Sequence, residues 1–482
     1  MPSLNAVLFA ESPRFTPRPI PLVSRLIGIA APLLFLALTA QAFYRQGLGM
    51  WSVGVVYILY DTALLLFTAW QIRKLVADTS RPVPHTTDMP TPRTTLGVIV
   101  AAHNEASVIR LTVGRLLAQA QPPEAILIAD DGSSDETPAA MLEAYGMAVP
   151  CIGGMAETVI GATRLQWLRL PHGGKARALN QALQHAPTDV VLTVDADTLL
   201  EPGAIAAMRT AFLRDPALVA ATGVLQPICG PSLSGRLFEW FQSYEYVRNF
   251  LSRHAWMQLN GLLLISGAFA AFRREAVLAV GGFDPDCMVE DYELIHRLHR
   301  HSNDHGLGWQ VGVVGGALAR TDAPATIRGF LKQRQRWFGG FLQTQHWNRD
   351  MVGNSHYGLV GTRMLPVKAL DTLQPIYGLA AFAILIFLVA TGRFYLAFPI
   401  LLVMVAKIVI DLTFHLWSLG IYKRWTGRSE GLRFGPALIA ALAEPFSFQL
   451  LRHTGALLGW YAFLTGSQTW TRATRSALEH QA

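Results

Sequence analysis

The sequence predicts an α/β domain inserted between membrane-spanning helices. The chain has 482 residues, of which 51% are hydrophobic and 15% charged, and its mean hydropathy is +0.30, a balance too apolar for an ordinary soluble enzyme. Long apolar runs lie near both ends, whereas the middle alternates short apolar strands with polar loops and helical patterns. We expect an N-terminal membrane anchor, a linker, a cytoplasmic domain, amphipathic interface helices, a C-terminal membrane region and a tail, at 1–75, 76–95, 96–320, 321–372, 373–466 and 467–482.

The apolar runs are long enough to cross a hydrocarbon core of about 30 Å. We predict two helical hairpins, one before and one after the central domain, with runs at 26–43, 50–70, 375–391 and 394–417. No small-residue cleavage site follows the first run, so a retained anchor is expected rather than a signal peptide. A further run at 436–464 is interrupted by Glu444-Pro445, which leaves a broken span, a re-entrant element or a helix pair open.

Charge and cysteine usage narrow the class of protein. The net charge of +7 arises from basic residues that cluster beside the apolar runs, as in cytoplasmic flanks of membrane helices, so no nucleic-acid partner is expected. The chain is expected in the cell (inner) membrane, with several spans and the central domain in the cytoplasm. Three cysteines, an odd number without metal-type spacing, favour a reducing compartment.

Polar residues follow the first two strands of the central domain. A strand at 96–102 leads to Asn104 and Glu105, and a strand at 125–129 leads to Asp131. Because carboxyl ends of parallel strands meet at one edge of a sheet, we expect a ligand there. Carboxylates at that edge can accept hydrogen bonds from a nucleobase imide and from ribose hydroxyls. Ordinary turn and helix-cap usage is the alternative.

The next two signals suit a diphosphate and a metal ion. Lys175 follows two glycines at the predicted start of a helix, where amides and a cation can hold phosphate. Asp195 and Asp197 end an apolar strand, and in extended chain residues i and i+2 point to the same side. We therefore expect these two carboxylates to hold Mg²⁺ or Mn²⁺ on the diphosphate oxygens.

Glu290-Asp291 opens an amphipathic helix. We assign Asp291 as a general base, because an inverting single displacement needs one carboxylate that takes the proton of the acceptor hydroxyl. Capping of the helix N-terminus is the alternative role.

The acceptor side is predicted from a small-residue loop and a later helix. Gly267 lies in the loop Ser-Gly-Ala-Phe, which would let an acceptor approach closely. The helix at 325–345 carries Gln333, Arg336 and Trp337 on an amphipathic pattern suited to a membrane surface. Arg336 can bind phosphate and Trp337 can stack on a sugar. An interfacial anchor tryptophan with a snorkelling arginine is the alternative.

Ionisable residues interrupt two apolar runs. Lys407, Asp411 and His415 form one stripe at helical spacing, and Asp61 lies in the second run. Charges at that depth should face the protein interior. They either pack the helix bundle as a neutralised pair or line a polar path for a sugar chain.

These motifs, in this order, resemble the membrane-integrated processive glycosyltransferases of family 2, the group of cellulose, chitin, hyaluronan and poly-N-acetylglucosamine synthases. The resemblance covers residues 95–345 and implies a GT-A-type nucleotide-sugar-binding domain between transmembrane helices. It implies that the nucleotide sugar is bound by Asp131, Lys175 and Asp195, and that Asp197 holds Mg²⁺ or Mn²⁺. It also implies that Asp291 deprotonates the acceptor, which is placed by Gln333, Arg336 and Trp337.

Two departures from the family pattern bear on the substrate. Val289 stands where a threonine usually precedes Glu290-Asp291, which leaves the base in place. The loop around Gly267 is more similar to the poly-N-acetylglucosamine and hyaluronan type than to the cysteine-containing cellulose type. The donor is therefore expected to be UDP-N-acetylglucosamine or UDP-glucose, and the loop favours an N-acetylhexosamine.

The leading hypothesis is an inverting β-glycosyltransferase, a family 2 hexosyltransferase, that extends a polysaccharide and is coupled to its export. The expected partners are the nucleotide-sugar donor, a polysaccharide or lipid-linked acceptor, the lipid bilayer and accessory export subunits. One alternative is a single-sugar transferase acting on a lipid or carrier. Another is a non-catalytic membrane receptor or export subunit with a decayed transferase domain, which the presence of every expected carboxylate disfavours.

Overall fold

A nine-stranded mixed sheet lies at the centre of the described residues, which in this computed structural model are 3–45, 47–78, 94–428 and 434–466. Its order is β3-β4-β2-β1-β5-β8-β7-β9-β6. The strands are β1 Leu96–Ala102, β2 Ala125–Asp131, β3 Met155–Ile160, β4 Thr163–Leu170, β5 Val190–Asp195, β6 Thr198–Leu200, β7 Leu218–Ile228, β8 Phe269–Arg273 and β9 Gln310–Asp322.

The helices pack on both faces of this sheet or extend away from it as apolar rods. They are α1 Leu4–Glu11, α2 Leu22–Tyr44, α3 Ser52–Asp78, α4 Ile109–Leu117, α5 Thr137–Tyr145, α6 Lys175–His185, α7 Ala204–Arg214, α8 Leu233–Met257, α9 Arg274–Ala279, α10 Glu290–His305, α11 Ile327–Trp347, α12 Leu365–Asp371, α13 Gln374–Ala390, α14 Phe394–Thr426, α15 Phe434–Ala443 and α16 Phe448–Thr465.

The first half of the sheet is parallel, as the sequence predicted. Strands β1, β2, β4 and β5 pair in parallel, and Val/Ile/Leu side chains from these strands are buried on both faces. The register places Ala101 beside Asp195 and Ala102 beside Asp130, so the polar ends of β1, β2 and β5 meet at one edge. Burial of each large apolar side chain in this core stabilises the fold by about 1.5–3 kcal/mol.

The expectation of a mostly parallel sheet is wrong for the remaining five pairings, of which only β7 with β9 is parallel among the described residues. Four of the eight pairings, β3 with β4, β5 with β8, β7 with β8 and β6 with β9, are antiparallel. The long helix α8 and the irregular stretch after it bring β8 back beside β5 in the opposite direction. Local periodicity does not encode the direction of that return, and mixed sheets of this kind are common.

Within the described residues, four helices are long and apolar enough to cross a membrane, at Leu22–Tyr44, Leu48–Leu75, Val360–Ala390 and Phe394–Thr426. They lie where the sequence predicted membrane helices. A fifth candidate, Phe434–Phe446 with Phe448–Thr465, is bent by 47° at the predicted Glu444-Pro445 break. Most of the expected linker, 79–93, and the tail, 467–482, lie outside the described residues.

The bent last helix supports the helix that carries Gln333, Arg336 and Trp337. Helix α16 approaches α11 so closely that a Cβ on Gly455 would lie 2.5 Å from Arg334 Cβ, and one on Gly459 would lie 2.5 Å from Phe338 Cβ. Small residues are what allow two helix backbones to come this near. The interface helix α11 is therefore seated directly on the C-terminal apolar helix.

Ion pairs connect the same region to helix α8. Arg334 contacts Glu245 at 2.8 Å, and Arg452 contacts Glu444 at 2.8 Å and Glu245 at 3.7 Å. Arg248 pairs with Glu444 as well. The sheet domain, α11 and the bent helix are thus joined by one polar network.

The charged residues of the apolar helices face one another. Lys407 is 8% exposed, and its ammonium lies 2.6 Å from Asp61 on α3 and also contacts Asp411 on its own helix. The Lys407 ammonium therefore ties two apolar helices together. His415 lies further along α14, with its ring edge-on to Tyr244 of α8 at 5.2 Å.

Candidate active site

Lys175 and two acidic residues from different elements meet at the polar edge of the sheet. Lys175 begins α6, and its ammonium lies 2.5 Å from Asp195 Oδ1 and 3.5 Å from Glu290 Oε1. Burial alone would lower the pKa of Lys175, but the charges of Asp195 and Glu290 outweigh it and raise the pKa. Lys175 is therefore a fixed cation between the predicted metal residue and the predicted base motif.

Asp197 lies in a turn, which corrects the expectation of an extended Asp195-Ala196-Asp197. Strand β5 ends at Asp195, and the chain turns through Ala196 and Asp197 before β6. Burial first, and then the charges of Asp195 and Asp322, raise the pKa of Asp197 to about 8. The two carboxylates interact, but a turn and not the two-residue period of a strand brings them together.

Asp322 is a third acidic residue that the sequence reasoning missed. It ends β9, and its amide donates to the carbonyl of Asp197 at 3.3 Å. A carboxylate at the end of a strand was the available signal, but only the sheet order reveals that β9 ends beside the turn after β5.

Asp291 is held by two backbone amides. Gly267 N–H donates to Oδ2 at 2.6 Å, and Tyr292 N–H donates to Oδ1 at 2.8 Å. A Cβ on Gly267 would lie 2.9 Å from the same Oδ2, so the glycine is what permits this approach. Val289 occupies the N-cap position of α10, and Asp291 is therefore not the helix cap. Burial and the neighbouring charge of Glu290 raise the pKa of Asp291.

The glycine amides before Lys175 hold Asp131. Gly173 and Gly174 donate to its carboxylate at 2.7 and 2.9 Å, and His172 Nδ1 lies 2.9 Å from Oδ2. We expected these amides to face a phosphate together with Lys175. Here they fix a carboxylate that is 5% exposed, and they tie the ends of β2 and β4 together.

Two histidines missed by the sequence reasoning flank Asp131. His103 and His172 stack with ring centroids 4.4 Å apart, and each Nδ1 lies within hydrogen-bond distance of the Asp131 carbonyl. One ligand atom from each of the three residues lies within 4.8 Å of the others, a grouping that can hold a metal ion. Both histidines stand directly beside motifs that were recognised, which was the available signal.

Asn104 and Glu105 shape the loop that follows β2. Asn104 adopts a positive φ of 58°, and its Oδ1 accepts from Ser134 N at 2.7 Å. The amide of Glu105 donates to Thr137 Oγ1 at 2.8 Å. The structure thus brings both residues to the edge of the sheet beside Asp131, and their part in nucleoside binding stays a prediction.

Gln333, Arg336 and Trp337, which were predicted for the acceptor side together with Gly267, lie on one stretch of α11 around Arg334. The guanidinium of Arg334 lies 4.6 Å from the Trp337 ring centroid, whereas Arg336 Nη1 donates to the Met288 carbonyl, 3.4 Å away, just before Glu290. Gln333 Oε1 is buried without a hydrogen-bond partner among the described residues. Sequence reasoning chose Arg336 and overlooked Arg334, which carries the contact with Trp337.

Arg253 on α8 is a further cation of this side. Its Nε and Nη1 are buried, and within the described part of the chain they have no hydrogen-bond partner. Burial lowers the pKa of Arg253 to about 10, against opposing interactions with Tyr246 and Asp291. It therefore remains charged at neutral pH, and its charge interacts with that of Asp291. Its isolated position on α8 gave no motif to find it by.

The chain matches two family models. Residues 97–281 match glycosyl transferase family 2, and residues 190–409 match glycosyl transferase family group 2. Together they span 97–409, which is 313 of the 482 residues. The sheet with its polar edge defines a glycosyltransferase domain of the GT-A type, and the flanking apolar helices are long enough to cross a membrane. Residues 97–409 of the chain belong to glycosyltransferase family 2.

Similar proteins agree with that assignment. The poly-β-1,6-N-acetyl-D-glucosamine synthase of Staphylococcus aureus is 28% identical over 291 residues, which are 60% of this chain and 63% of the relative. That of Staphylococcus epidermidis is 28% identical over 250 residues, 51% of this chain and 54% of the relative. The match thus spans somewhat under two thirds of the curated relatives.

A solved structure shares the fold. A mannosyltransferase from Pyrobaculum calidifontis, solved with GDP-mannose and Mn²⁺, superposes with a TM-score of 0.51 at 21% identity. The similarity covers 82% of this chain and 99% of that protein. It shows that the sheet domain with its helices has the GT-A architecture.

Proposed function

We propose that this protein is an inverting β-glycosyltransferase that moves a sugar from a nucleotide sugar to the end of a growing polysaccharide at a membrane. One observation carries the proposal: Lys175, Asp195, Glu290 and Asp291 gather at one edge of the sheet beside the helix that holds Trp337. The negatively charged diphosphate of the donor needs a cation, and the hydroxyl of the acceptor needs a base that takes its proton. This edge supplies both groups at close range.

Asp291 acts as the general base in this proposal. The acceptor oxygen forms a bond to the anomeric carbon while the bond from that carbon to the diphosphate breaks, and the acceptor proton passes to the Asp291 carboxylate. The amides of Gly267 and Tyr292 fix the carboxylate and stabilise its ionised form. No second nucleophile is required, so the anomeric configuration inverts.

Lys175 stabilises the leaving diphosphate. It is already ion-paired with Asp195 and Glu290, so it is ordered before the donor arrives. An oriented ammonium in a buried site acts on developing negative charge without reorganising. Asn104, Glu105 and Asp131 line the nucleoside side of the same edge, and Arg336 lies on the acceptor side.

A divalent cation fits the donor set. Asp195, Asp197 and Asp322 put several carboxylates near one another, and the raised pKa of Asp197 reflects its burial first and then their repulsion. Hard oxygen ligands suit Mg²⁺ or Mn²⁺, which we propose are held by Asp195 and Asp197 with Asp322 beside them. When bound, the ion neutralises charge on the diphosphate oxygens. The His103, Asp131 and His172 grouping offers nitrogen ligands, which suit softer ions better.

The relatives favour N-acetylglucosamine. Both synthases named above make poly-β-1,6-N-acetyl-D-glucosamine, and the Ser-Gly-Ala-Phe loop around Gly267 pointed to the same donor class. We propose UDP-N-acetylglucosamine as the donor, with UDP-glucose as the second choice. The product is exported across the bilayer, with accessory export subunits as partners.

The proposed arrangement in the cell follows the apolar helices. Residues 96–320 form the catalytic domain on the cytoplasmic side, and 321–372 lie at the membrane surface. Residues 1–75 and 373–466 hold the domain in the inner membrane, with 76–95 as linker and 467–482 as tail. The basic residues Lys423 and Arg424 in the last turn of α14 support the cytoplasmic orientation.

Transfer of a single sugar to a lipid or carrier is the second candidate. One observation favours it: Trp337 is stacked by Arg334, and Lys407 is already paired with Asp61 and Asp411. Because the Trp337 ring and the Lys407 ammonium already have partners within the protein, they are less available to contact a polymer.

The test is a panel of labelled nucleotide sugars given to the purified, membrane-reconstituted chain with Mg²⁺ or Mn²⁺. We expect transfer from UDP-N-acetylglucosamine into long products, and an Asp291→Asn variant serves as the inactive control. Products of one added sugar would select the second candidate. Neither transfer nor donor hydrolysis with any sugar would reject the proposed function.

A further inference from the structure

The residues before the first apolar helix lie across the catalytic domain. We call residues 3–18 the N-terminal strap. Leu8 of the strap is 4% exposed and packs against Gly281. Glu11 pairs with His301 at 2.9 Å, and Arg18 pairs with Asp304 at 2.7 Å. The strap thus runs along helix α10 and continues directly into α2.

Arg14 of the strap contacts the segment that precedes the base motif. Its Nη2 lies 2.8 Å from Asp286 Oδ2, and its Nη1 lies 3.5 Å from Asp284 Oδ1. The Asp284 side chain is fully buried, and no described residue donates a hydrogen bond to its Oδ2. A buried carboxylate needs a cation nearby to remain charged at low cost. Arg14 supplies that cation from outside the domain.

The segment that Arg14 grips leads to the base. We call residues 284–289 the base loop, because Asp291 follows it at the start of α10. Gln343 of α11 accepts from Met288 N at 3.2 Å and donates to Asp286 O at 3.4 Å. Arg336 of the same helix also donates to Met288 O. The base loop therefore lies between the strap and α11, with polar contacts to both.

One side of the base loop borders a cavity. Its volume is about 350 Å³, and it is lined by Arg14, Asp286, Met288, Gln343 and Trp347 among others. The guanidinium of Arg14 lies 5.4 Å from the Trp347 ring centroid at the end of α11. The Arg14 side chain thus reaches from the strap to the base loop and to α11 beside this cavity.

We propose that Arg14 is a positioning residue for the transfer reaction. It holds the base loop so that Asp291, on α10, and Arg336, on α11, keep their separation when the acceptor binds. The inference rests on the proposed role of Asp291 as base. Because misplacement by about 1 Å can reduce a rate by about 10²-fold, the strap connects the first membrane helix to the efficiency of catalysis.

The experiment compares Arg14→Ala, Arg14→Lys and Arg18→Ala in the full-length chain reconstituted in lipid nanodiscs. Arg18→Ala removes an equivalent strap arginine that grips Asp304, away from the base loop. For each variant we would measure the thermal midpoint, the dissociation constant for UDP, kcat and KM for transfer, and hydrogen exchange of the amides at 284–291.

We expect Arg14→Ala to lower kcat by about tenfold or more, to leave the UDP dissociation constant within about twofold, and to speed exchange at 284–291. Arg14→Lys should recover part of the rate, since lysine keeps the charge but not the two-pronged contact. Arg18→Ala should retain the parent kcat. Equal losses in both alanine variants would show general docking of the strap and overturn the proposal, as would an unchanged kcat for Arg14→Ala.

Two further comparisons keep the proposal testable. If Arg14→Ala fails to fold, Asp286→Asn removes only the exposed partner, which is 56% exposed, and should produce a smaller loss of the same kind. If the parent chain transfers no sugar, the proposed function fails, but hydrogen exchange at 284–291 still tests whether Arg14 holds the base loop. Unchanged exchange in Arg14→Ala would then reject the positioning role of Arg14.

Discussion

Two lysines in this protein each lie between two carboxylates, one at the polar edge of the sheet and one among the apolar helices. Lys175 contacts Asp195 and Glu290, and Lys407 contacts Asp61 and Asp411. The difference lies in the surroundings. At the sheet edge Asp197 and Asp291 add negative charge, and the pKa of both is raised. In the helices the lysine also links two elements, α3 and α14.

The comparison separates a reactive cluster from a structural one. At the sheet edge four carboxylates, those of Asp195, Asp197, Glu290 and Asp291, outnumber the cations Lys175 and Arg253. The cluster therefore stores repulsion that a cationic ligand or a proton can relieve. In the apolar helices the Lys407 ammonium is committed to Asp411 on its own helix and to Asp61 on a neighbouring helix, and leaving either charge unpaired there would be costly. The same ion-pair motif thus predicts catalysis in one place and helix association in the other.

The largest expected effect concerns the base. Asp291→Asn should lower the transfer rate by about 10²–10⁴-fold, the usual contribution of a positioned general base, because asparagine cannot take the acceptor proton. Nucleotide binding should stay near the parent value, as measured by calorimetry with UDP. A variant that still transfers sugar at the parent rate would show that Asp291 is a structural residue.

Asp197→Asn should reduce activity by about two orders of magnitude, since a metal that stabilises the diphosphate contributes several kcal/mol. Metal titration of the purified chain should show weaker Mn²⁺ binding in the variant. Asn keeps the size of the side chain, so the fold should persist, and thermal unfolding provides that control. Parent activity in chelator-treated membranes would contradict a metal role.

For the cluster of Lys407, Asp61 and Asp411 among the apolar helices, the expected effect is a loss of stability. Lys407→Met leaves Asp61 and Asp411 facing each other and should destabilise the helix bundle by about 2 kcal/mol, less than for a fully buried pair because both carboxylates are partly exposed. The triple variant Asp61→Asn, Lys407→Met, Asp411→Asn should regain much of this loss. Thermal unfolding in nanodiscs measures both. A stable Lys407→Met protein with short products would instead place the cluster on a polymer path.

Trp337→Ala should weaken acceptor binding by about fivefold, corresponding to about 1 kcal/mol for an aromatic contact. Product length on gels should fall, while UDP binding should not change. Arg334→Gln is the informative companion, because it removes the cation stacked on the ring but leaves the ring itself. Products of parent length from Trp337→Ala would favour the single-transfer candidate.

The smallest effect concerns the pH profile of the sheet-edge cluster. Burial and Glu290 raise the pKa of Asp291, and a base works only when deprotonated, so kcat should fall on the acid side at a higher pH than an ordinary aspartate would give. Glu290→Gln removes the like charge, lowers the pKa of Asp291 and should move this acid limb to lower pH. A limb that moved to higher pH would mean that the link to Lys175 dominates.

Much of the fold followed from the sequence because its signals are local. The buried runs of β1, β2 and β5 and the amphipathic patterns of α6, α10 and α11 each specify their element within a few residues. The direction of β8 and the position of β9 depend on contacts between distant segments, and no window of sequence carries them. The Asp195-to-Asp197 turn was misjudged because a period of two was assumed to continue past the last residue of the strand.

The candidate site divides in the same way. Lys175, Asp195 and Asp291 were predicted from motifs, and the structure brings them to one edge, while their roles remain proposals. Asp322, Arg253 and His172 were missed, since each acts beside a residue far away in the chain. The glycine amides were predicted to face phosphate but donate to Asp131, a choice of partner that sequence spacing cannot make.

The seating of α11 on α16 has a consequence for anyone who recombines these enzymes. Because Gly455 and Gly459 leave no room for a Cβ against Arg334 and Phe338, the two helices form one exchangeable module. A chimera that takes only α11 from another enzyme would bring bulkier or differently spaced side chains onto α16. Residues 327–347 and 448–465 should therefore be exchanged together, although about a hundred residues separate them in the sequence.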